Sequence, residues 1–393
     1  MIPASYRLLL RTAHVPRALL TSMVARLPQG MVGLALVLLV EERTGSFGLA
    51  GVVSGAYVAA AGLGGPVLAR LADRHGPRRV LLAAAATCAG ASVALGAIPA
   101  ATLPPLLLLA VVAGGTTPPI STVARALWPR LLPDQKRLTA MYALEATAQE
   151  LTFIVGPSIV TLCVALVAPG AAVAASGLLA LTGTALFVSG RAGERGSAGG
   201  SAGTGRGRIW WRGPATGLLV AAALSCAEIG VVATAERRGV PAAAGILLPF
   251  WSLGSLAGGL MAGARPSPLA PDRLLPRLLL VFALGHALLI PAPAPVVLGG
   301  VLVLAGATVA PAFAQLYALV ERHAPAQGRT EAFAWLSTAF LAGGAIGAPL
   351  GGTLAETGSP SLPFLAAAAL PLLAAALLRV PAPAPAEPCE STA

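Results

Sequence analysis

Four ionisable side chains interrupt otherwise apolar runs of this chain: Arg26, Glu145, Glu150 and Glu228. A charge in such a setting is costly unless it is paired, hydrated or put to use, so each is a candidate for chemistry. A carboxylate in an apolar environment is suited to carrying a proton, which makes Glu150 and Glu228 candidates for proton coupling. A guanidinium there would recognise charge on a substrate, which is the reading for Arg26. At 1.5 Å per residue Arg26 lies roughly 13 Å into its run and Glu150 roughly 18 Å into its own. Gln149 shares a helix face with Glu145 at i, i+4 spacing, and Glu145 is placed near a water boundary. A structural salt bridge or a snorkelling side chain is the alternative for each charge. Tyr57 and Trp251 stand inside apolar runs as cavity aromatics or as packing residues.

The elements that must position these groups are set by composition. Of 393 residues, 56% are apolar and 10% are charged. A soluble chain carries about 25% charged residues, so a soluble enzyme and a disordered chain are both excluded. A membrane helix needs about 20 mostly apolar residues. Twelve such segments are predicted, at 17–40, 47–69, 79–99, 104–126, 138–167, 170–189, 214–235, 241–263, 274–291, 295–319, 330–354 and 361–378. The first is too long for a signal peptide and carries Arg26, so it is expected to remain. The expected fold class is an all-α polytopic membrane protein with 12 transmembrane helices.

The basic residues set the orientation. With the N-terminus inside, the inner loops take Arg70, Arg74, Arg78, Arg79, Arg125, Arg130, Lys136, Arg137 and most of the remaining arginines. Only Arg43, Arg237 and Arg238 fall outside, and Arg26 falls within a span. This positive-inside asymmetry puts both termini in the cytoplasm. It also accounts for the net charge of +11 through contact with the lipid bilayer, without a nucleic-acid partner. Arginine use far above lysine, with abundant Ala, Gly and Pro, fits a bacterial cell membrane. Cys88, Cys163, Cys226 and Cys389 show no metal-ligand spacing, so neither a metal nor a cofactor is expected.

A repeat divides the chain. Shifting residues 119–157 forward by 192 lays them on 311–349 without a gap. Pro119, Arg130, Pro133, Gln135 and Arg137 then coincide with Pro311, Arg322, Pro325, Gln327 and Arg329. Both copies fall between the fourth and fifth spans of their half. Two parallel six-helix halves are expected, at 1–189 and 214–380, joined by a flexible Gly/Ser-rich cytoplasmic linker at 190–213, with a tail at 381–393.

Between spans two and three the chain reads Ala69-Arg70-Leu71-Ala72-Asp73-Arg74-His75-Gly76-Pro77-Arg78-Arg79. This resembles the cytoplasmic motif of the major facilitator superfamily, with Ala69 and Pro77 as departures. Gly156-Pro157 and the glycines from Gly343 to Gly352 resemble that superfamily's packing motif. The resemblance implies two six-helix halves related by a pseudo-two-fold axis along the membrane normal. It also implies a gating latch in which Asp73, within reach of Arg74 and Arg78 across the turn at Gly76, holds the inner loops. Spans one and five neighbour each other beside the central cavity in that superfamily, so an Arg26–Glu150 pair is expected. His286 falls in a peripheral span and is read as structural. The function implied is alternating-access secondary transport, with proton-coupled efflux of a small organic substrate by a monomer as the leading form. Uptake by symport and a non-transporting sensor or enzyme are the alternatives.

Overall fold

The computed structural model describes residues 4–99, 103–132, 134–190, 211–238, 243–265, 267, 269–290, 295–324, 328–356, 359 and 361–379. Most of the expected linker, at 191–210, and the tail lie outside them. A short helix α1 (Ala4–Arg11) leads into the first half. That half contains α2 (Val15–Thr44), α3 (Phe47–His75), α4 (Pro77–Ala97), α5 (Leu103–Gly115), α6 (Ile120–Leu131), α7 (Gln135–Leu166) and α8 (Pro169–Val188). The second half contains α9 (Arg212–Arg237), α10 (Ala243–Ala264), α11 (Pro271–Ala287), α12 (Pro295–Gly306), α13 (Val309–His323), α14 (Arg329–Glu356) and α15 (Leu362–Arg379). No strand occurs among the described residues. Eleven stretches are long and apolar enough to cross a membrane, and the 17-residue α11 makes the twelfth span.

The structure refines two expected spans. Span four is α5 plus α6, broken after Gly115 by Thr116-Thr117-Pro118-Pro119. Span ten is α12 plus α13, broken at Ala307-Thr308 just before Pro311. Pro119 and Pro311 are the repeat pair, so the halves break at equivalent places. Proline supplies no N–H to the preceding turn and disfavours helix in the residue before it. Elsewhere proline sits inside helices, as at Pro28, Pro66, Pro157 and Pro349, which neighbouring helices in a membrane tolerate.

Lipid tails are as apolar as leucine, so the helices are held by close packing rather than by expulsion of water. The crossing of α2 and α7 shows this: a Cβ on Gly30 would meet the backbone of Thr152, and a Cβ on Gly156 would meet that of Gly30. This gives the Gly156-Pro157 motif its local reason. Gly76, at φ +90°, makes the turn from α3 to α4, where most residues would be strained.

The core is in three parts, and their distribution fixes the shape. One cluster draws on both halves, including Trp128, Tyr142 and Phe187 from the first and Phe282, Tyr317 and Phe333 from the second. A second uses only the first half, including Met31, Leu36, Leu95, Leu106 and Val160. A third uses only the second half, including Val231, Leu247, Leu298 and Phe364. The shared cluster lies at the end that carries the arginine-rich loops, the basic end. At the opposite end each half packs on itself. The halves are therefore joined at the basic end and parted at the other. Their contacts come in repeat-related pairs: α3 with α14 and α10 with α7, then α6 with α14 and α13 with α7.

Candidate functional site

Arg26 on α2, Arg125 on α6 and Glu145 on α7 meet where the halves join. The Glu145 side chain is 0% exposed, Arg26 1% and Arg125 5%. Arg26 Nη2 donates to Glu145 Oε1 at 2.8 Å, and Trp128 Nε1 donates to Oε2 at 2.5 Å. Arg125 Nε lies 3.0 Å from the same Oε1, an ion pair whose N–H points off the line of a hydrogen bond. Arg125 Nη2 donates to the Tyr317 hydroxyl of the second half at 3.0 Å, and its guanidinium lies 3.9 Å from the centre of that ring. Tyr142 packs edge-on to Tyr317 and tilted against Phe333. Every residue from Ile120 to Trp128 is buried, so α6 carries Arg125 through the interior of the seam. The chemistry is that of two cations sharing one anion in a dry place, with a cation–π contact tying the halves together.

This corrects three expectations. Arg26 pairs with Glu145, not Glu150. Five residues further along α7 is a turn of about 140° at 3.6 residues per turn, so Glu150 faces another helix. Glu145 is fully buried rather than close to water. Arg125, placed by the sequence among the inner loop residues, is a helical cation buried in the seam.

Glu150 is half-buried and accepts from the Ser255 hydroxyl on α10 of the other half at 3.0 Å. It is thus a carboxylate bound across the seam. Gln149 donates to Gln29 at 3.3 Å, and Gln29 donates to Ser121 at 3.4 Å, a polar chain along α7, α2 and α6. Glu228 is exposed on α9 and forms no ion pair among the described residues. Neither candidate aromatic makes a hydrogen bond across the seam among the described residues, although Trp251 packs against the shared core cluster. Tyr57 is bonded to Thr117 at 2.8 Å inside the first half, beside a small cavity that Gln29, Ser92 and Ser176 also line. Trp251 meets His286 edge-on, with ring centres 5.5 Å apart, inside the second half. His286 stacks on Phe282 at 4.2 Å and is held by the Phe282 carbonyl, a packing position.

The motif near Asp73 also works across the seam. Asp73 accepts from the backbone N–H of Glu331 at 3.3 Å, in the first turn of α14 in the other half. A carboxylate at a helix N-terminus is well matched to the unpaired N–H groups and the dipole there. Arg70 pairs with Glu331, whose carboxylate also accepts from Trp335, and Thr338 donates to the Gly62 carbonyl at 2.8 Å. The expected partners differ: Arg74 and Arg78 are exposed and form no ion pair among the described residues, so the latch is made with α14 instead. In the second half Asp272 holds Arg322 at 3.3 Å and His323 at 2.6 Å.

The sequence profile of the Major Facilitator Superfamily matches residues 18–327 and 239–392. The chain belongs to this superfamily. It is a multi-pass membrane protein of a transporter superfamily, and superfamily transporters bind small molecules, often with protons. No match is found among curated proteins. Solved structures share the fold at low identity. The human organic anion transporter MFSD10 aligns over 96% of this chain and 100% of its own, at 16% identity and a TM-score of 0.73. The E. coli fucose:proton symporter aligns over 94% and 99%, at 14% identity and 0.74. A bacterial homologue of the iron transporter ferroportin, in an outward-facing state, aligns over 92% and 98%, at 16% identity and 0.74.

Within the superfamily fold, sequence reasoning missed Arg125 and Tyr317. They are 192 residues apart, the repeat offset itself, and meet because equivalent points on spans four and ten face each other across the pseudo-two-fold axis. The repeat alignment held the signal: it pairs a cation with an aromatic at one position beside the break common to both spans. Among the described residues no group of three His, Cys, Asp or Glu could hold a metal ion.

Proposed function

We propose that this chain is a proton-coupled exporter of a small organic molecule that works by alternating access. Its two halves, 1–189 and 214–380, rock about the seam while the linker at 190–213 tethers them. The positive-inside asymmetry puts the basic end and both termini in the cytoplasm of a bacterial cell, so the closed end is the inner one. The observation that carries the reading is Glu150, a half-buried carboxylate held across the seam by Ser255. Charged, it accepts from the Ser255 hydroxyl and helps keep the inner end shut. A proton arriving through the open outer end removes that charge and weakens the hold. The inner end then opens, the proton leaves to the cytoplasm, and substrate enters. Protons moving in thereby drive substrate out. The chain functions as a monomer in this scheme, since each half completes the site of the other.

The test is collapse of an imposed pH gradient in inverted vesicles when amphipathic compounds are added, comparing the native chain with Glu150→Gln. A compound that collapses the gradient with the native chain and not with Glu150→Gln supports the reading. Equal collapse by both chains removes Glu150 from coupling. Collapse only in right-side-out vesicles makes the protein an uptake symporter.

A further inference from the structure

Arg26 and Arg125 bring two positive charges to a place where Glu145 supplies one negative charge. Among the described residues, neither guanidinium has a second carboxylate within ion-pair distance. Glu145 spends Oε1 on both arginines and Oε2 on Trp128. Arg26 Nε, Arg26 Nη1 and Arg125 Nε are buried with no hydrogen-bond partner. Five N–H groups on each planar fork call for more acceptor oxygen than a single carboxylate provides. Buried donors left unmade and an uncompensated positive charge both favour a further anion.

We infer that this triad is the recognition site for an anionic substrate, a small organic molecule bearing a carboxylate, sulfonate or phosphate group, and that it is loaded from the basic end. The inference rests on the transport reading and adds the charge of the cargo and its side of entry. Glu145 is the internal stand-in for the substrate's anion. In the conformation seen here it occupies both arginines, and the site is closed to solvent. The triad lies close to the basic end, with Arg125 about 9 Å from the last residue of α6 at 1.5 Å per residue. Parting the halves at that end draws Tyr317, which belongs to the second half, away from Arg125 and frees Nη2 as well. The movement that opens the basic end therefore makes the cationic fork more available. The movement that closes it returns Arg125 Nη2 to Tyr317, leaves Glu145 as the carboxylate both arginines share, and expels the anion at the other side. An inside-negative membrane potential favours that direction for an anion.

The test is binding without any gradient, which separates it from the coupling experiment. The purified full-length chain in detergent is heated with a panel of aromatic and aliphatic carboxylates and sulfonates, each beside its neutral amide and its amine counterpart. The stabilising compounds are expected among the anions, with their amides and amines silent. Titration of a stabilising anion should show an affinity lower by about tenfold or more for Arg26→Gln and for Arg125→Gln. Glu145→Gln should bind the same anion more tightly than the native chain, a gain that a damaged fold does not imitate. The inference is overturned if amides or amines are the stabilisers, if no anion of the panel stabilises the native chain, or if Glu145→Gln weakens anion binding. Anion binding combined with proton flux that ignores Glu150 would keep this inference and sink the coupling reading, and the reverse pattern would do the opposite.

Discussion

Replacing Glu145 by Gln keeps the volume of the side chain and removes its charge. That charge lies 2.8 Å from Arg26 Nη2 and 3.0 Å from Arg125 Nε, with all three side chains at most 5% exposed. Two unit charges about 4 Å apart attract by about 4 kcal/mol at an effective dielectric of about 20. Glu145→Gln loses both attractions and leaves the repulsion between the guanidiniums standing, offset by the desolvation that a neutral Gln no longer suffers. Breaking a buried ionic group by removing one member costs about 3–5 kcal/mol, because the remaining charge is stranded. The expected loss for Glu145→Gln is therefore about 3–5 kcal/mol. Removing Arg125 as well takes away one stranded charge, so Glu145→Gln with Arg125→Gln should cost less than the two single changes summed, by about 1 kcal/mol or more. Unfolding in mixed micelles by titration with SDS, followed by tryptophan fluorescence, measures the four species of the cycle. A loss below about 1 kcal/mol for Glu145→Gln, or additivity within about 0.5 kcal/mol, would refute the reasoning that the triad is one buried electrostatic unit.

The latch at the basic end should behave differently. Arg70 is about half exposed, so Arg70→Ala should cost at most about 1 kcal/mol, whereas Asp73→Asn weakens a charge-assisted bond to the first turn of α14. Asp73→Asn should accordingly speed thiol labelling of a cysteine placed at Ala334 severalfold and Arg70→Ala much less; equal rates for both would remove Asp73 from the latch. Gly156→Val should destabilise the chain strongly, because its Cβ would fall on the backbone of Gly30, while Gly33→Ala, which faces open space, should leave thermal stability unchanged in micelles. Tyr317→Phe keeps the ring over Arg125 and removes one bond across the seam, so it should lower the melting temperature slightly and raise the population open at the basic end, read by the same labelling.

Much of the fold follows from the sequence because lipid imposes a simple rule: backbone must be bonded within the helix, and side chains must be apolar over about 20 residues. The spans, the positive-inside asymmetry and the 192-residue repeat all express that rule along one dimension. Helix breaks were less legible. Pro119 and Pro311 are plain in the sequence, but a proline such as Pro157 sits inside an intact helix, so proline alone does not say where a span divides. The 17-residue α11 likewise has its boundary set by packing against α13 and α15 rather than by hydropathy alone.

The site was legible in kind but not in connection. That Arg26, Glu145 and Glu150 stand in apolar runs is a property of the chain, and so is the cost that requires them to be paired or used. Which carboxylate Arg26 meets is not. Depth along the helices puts Arg26 between Glu145 and Glu150, and the choice depends on how far α7 is rotated about its axis against α2. Gly30 and Gly156 set that rotation by letting the two backbones touch. Arg125 is buried only because α6 is carried into the seam, and Asp73 chooses α14 over its neighbouring arginines only because the halves have closed at that end. Local sequence determined that this protein is a twelve-span, two-fold repeated membrane transporter with costly charges inside. The tertiary structure decided which charges meet and which end is shut, because helix rotation and the approach of the two halves arise from contacts between residues far apart in the chain.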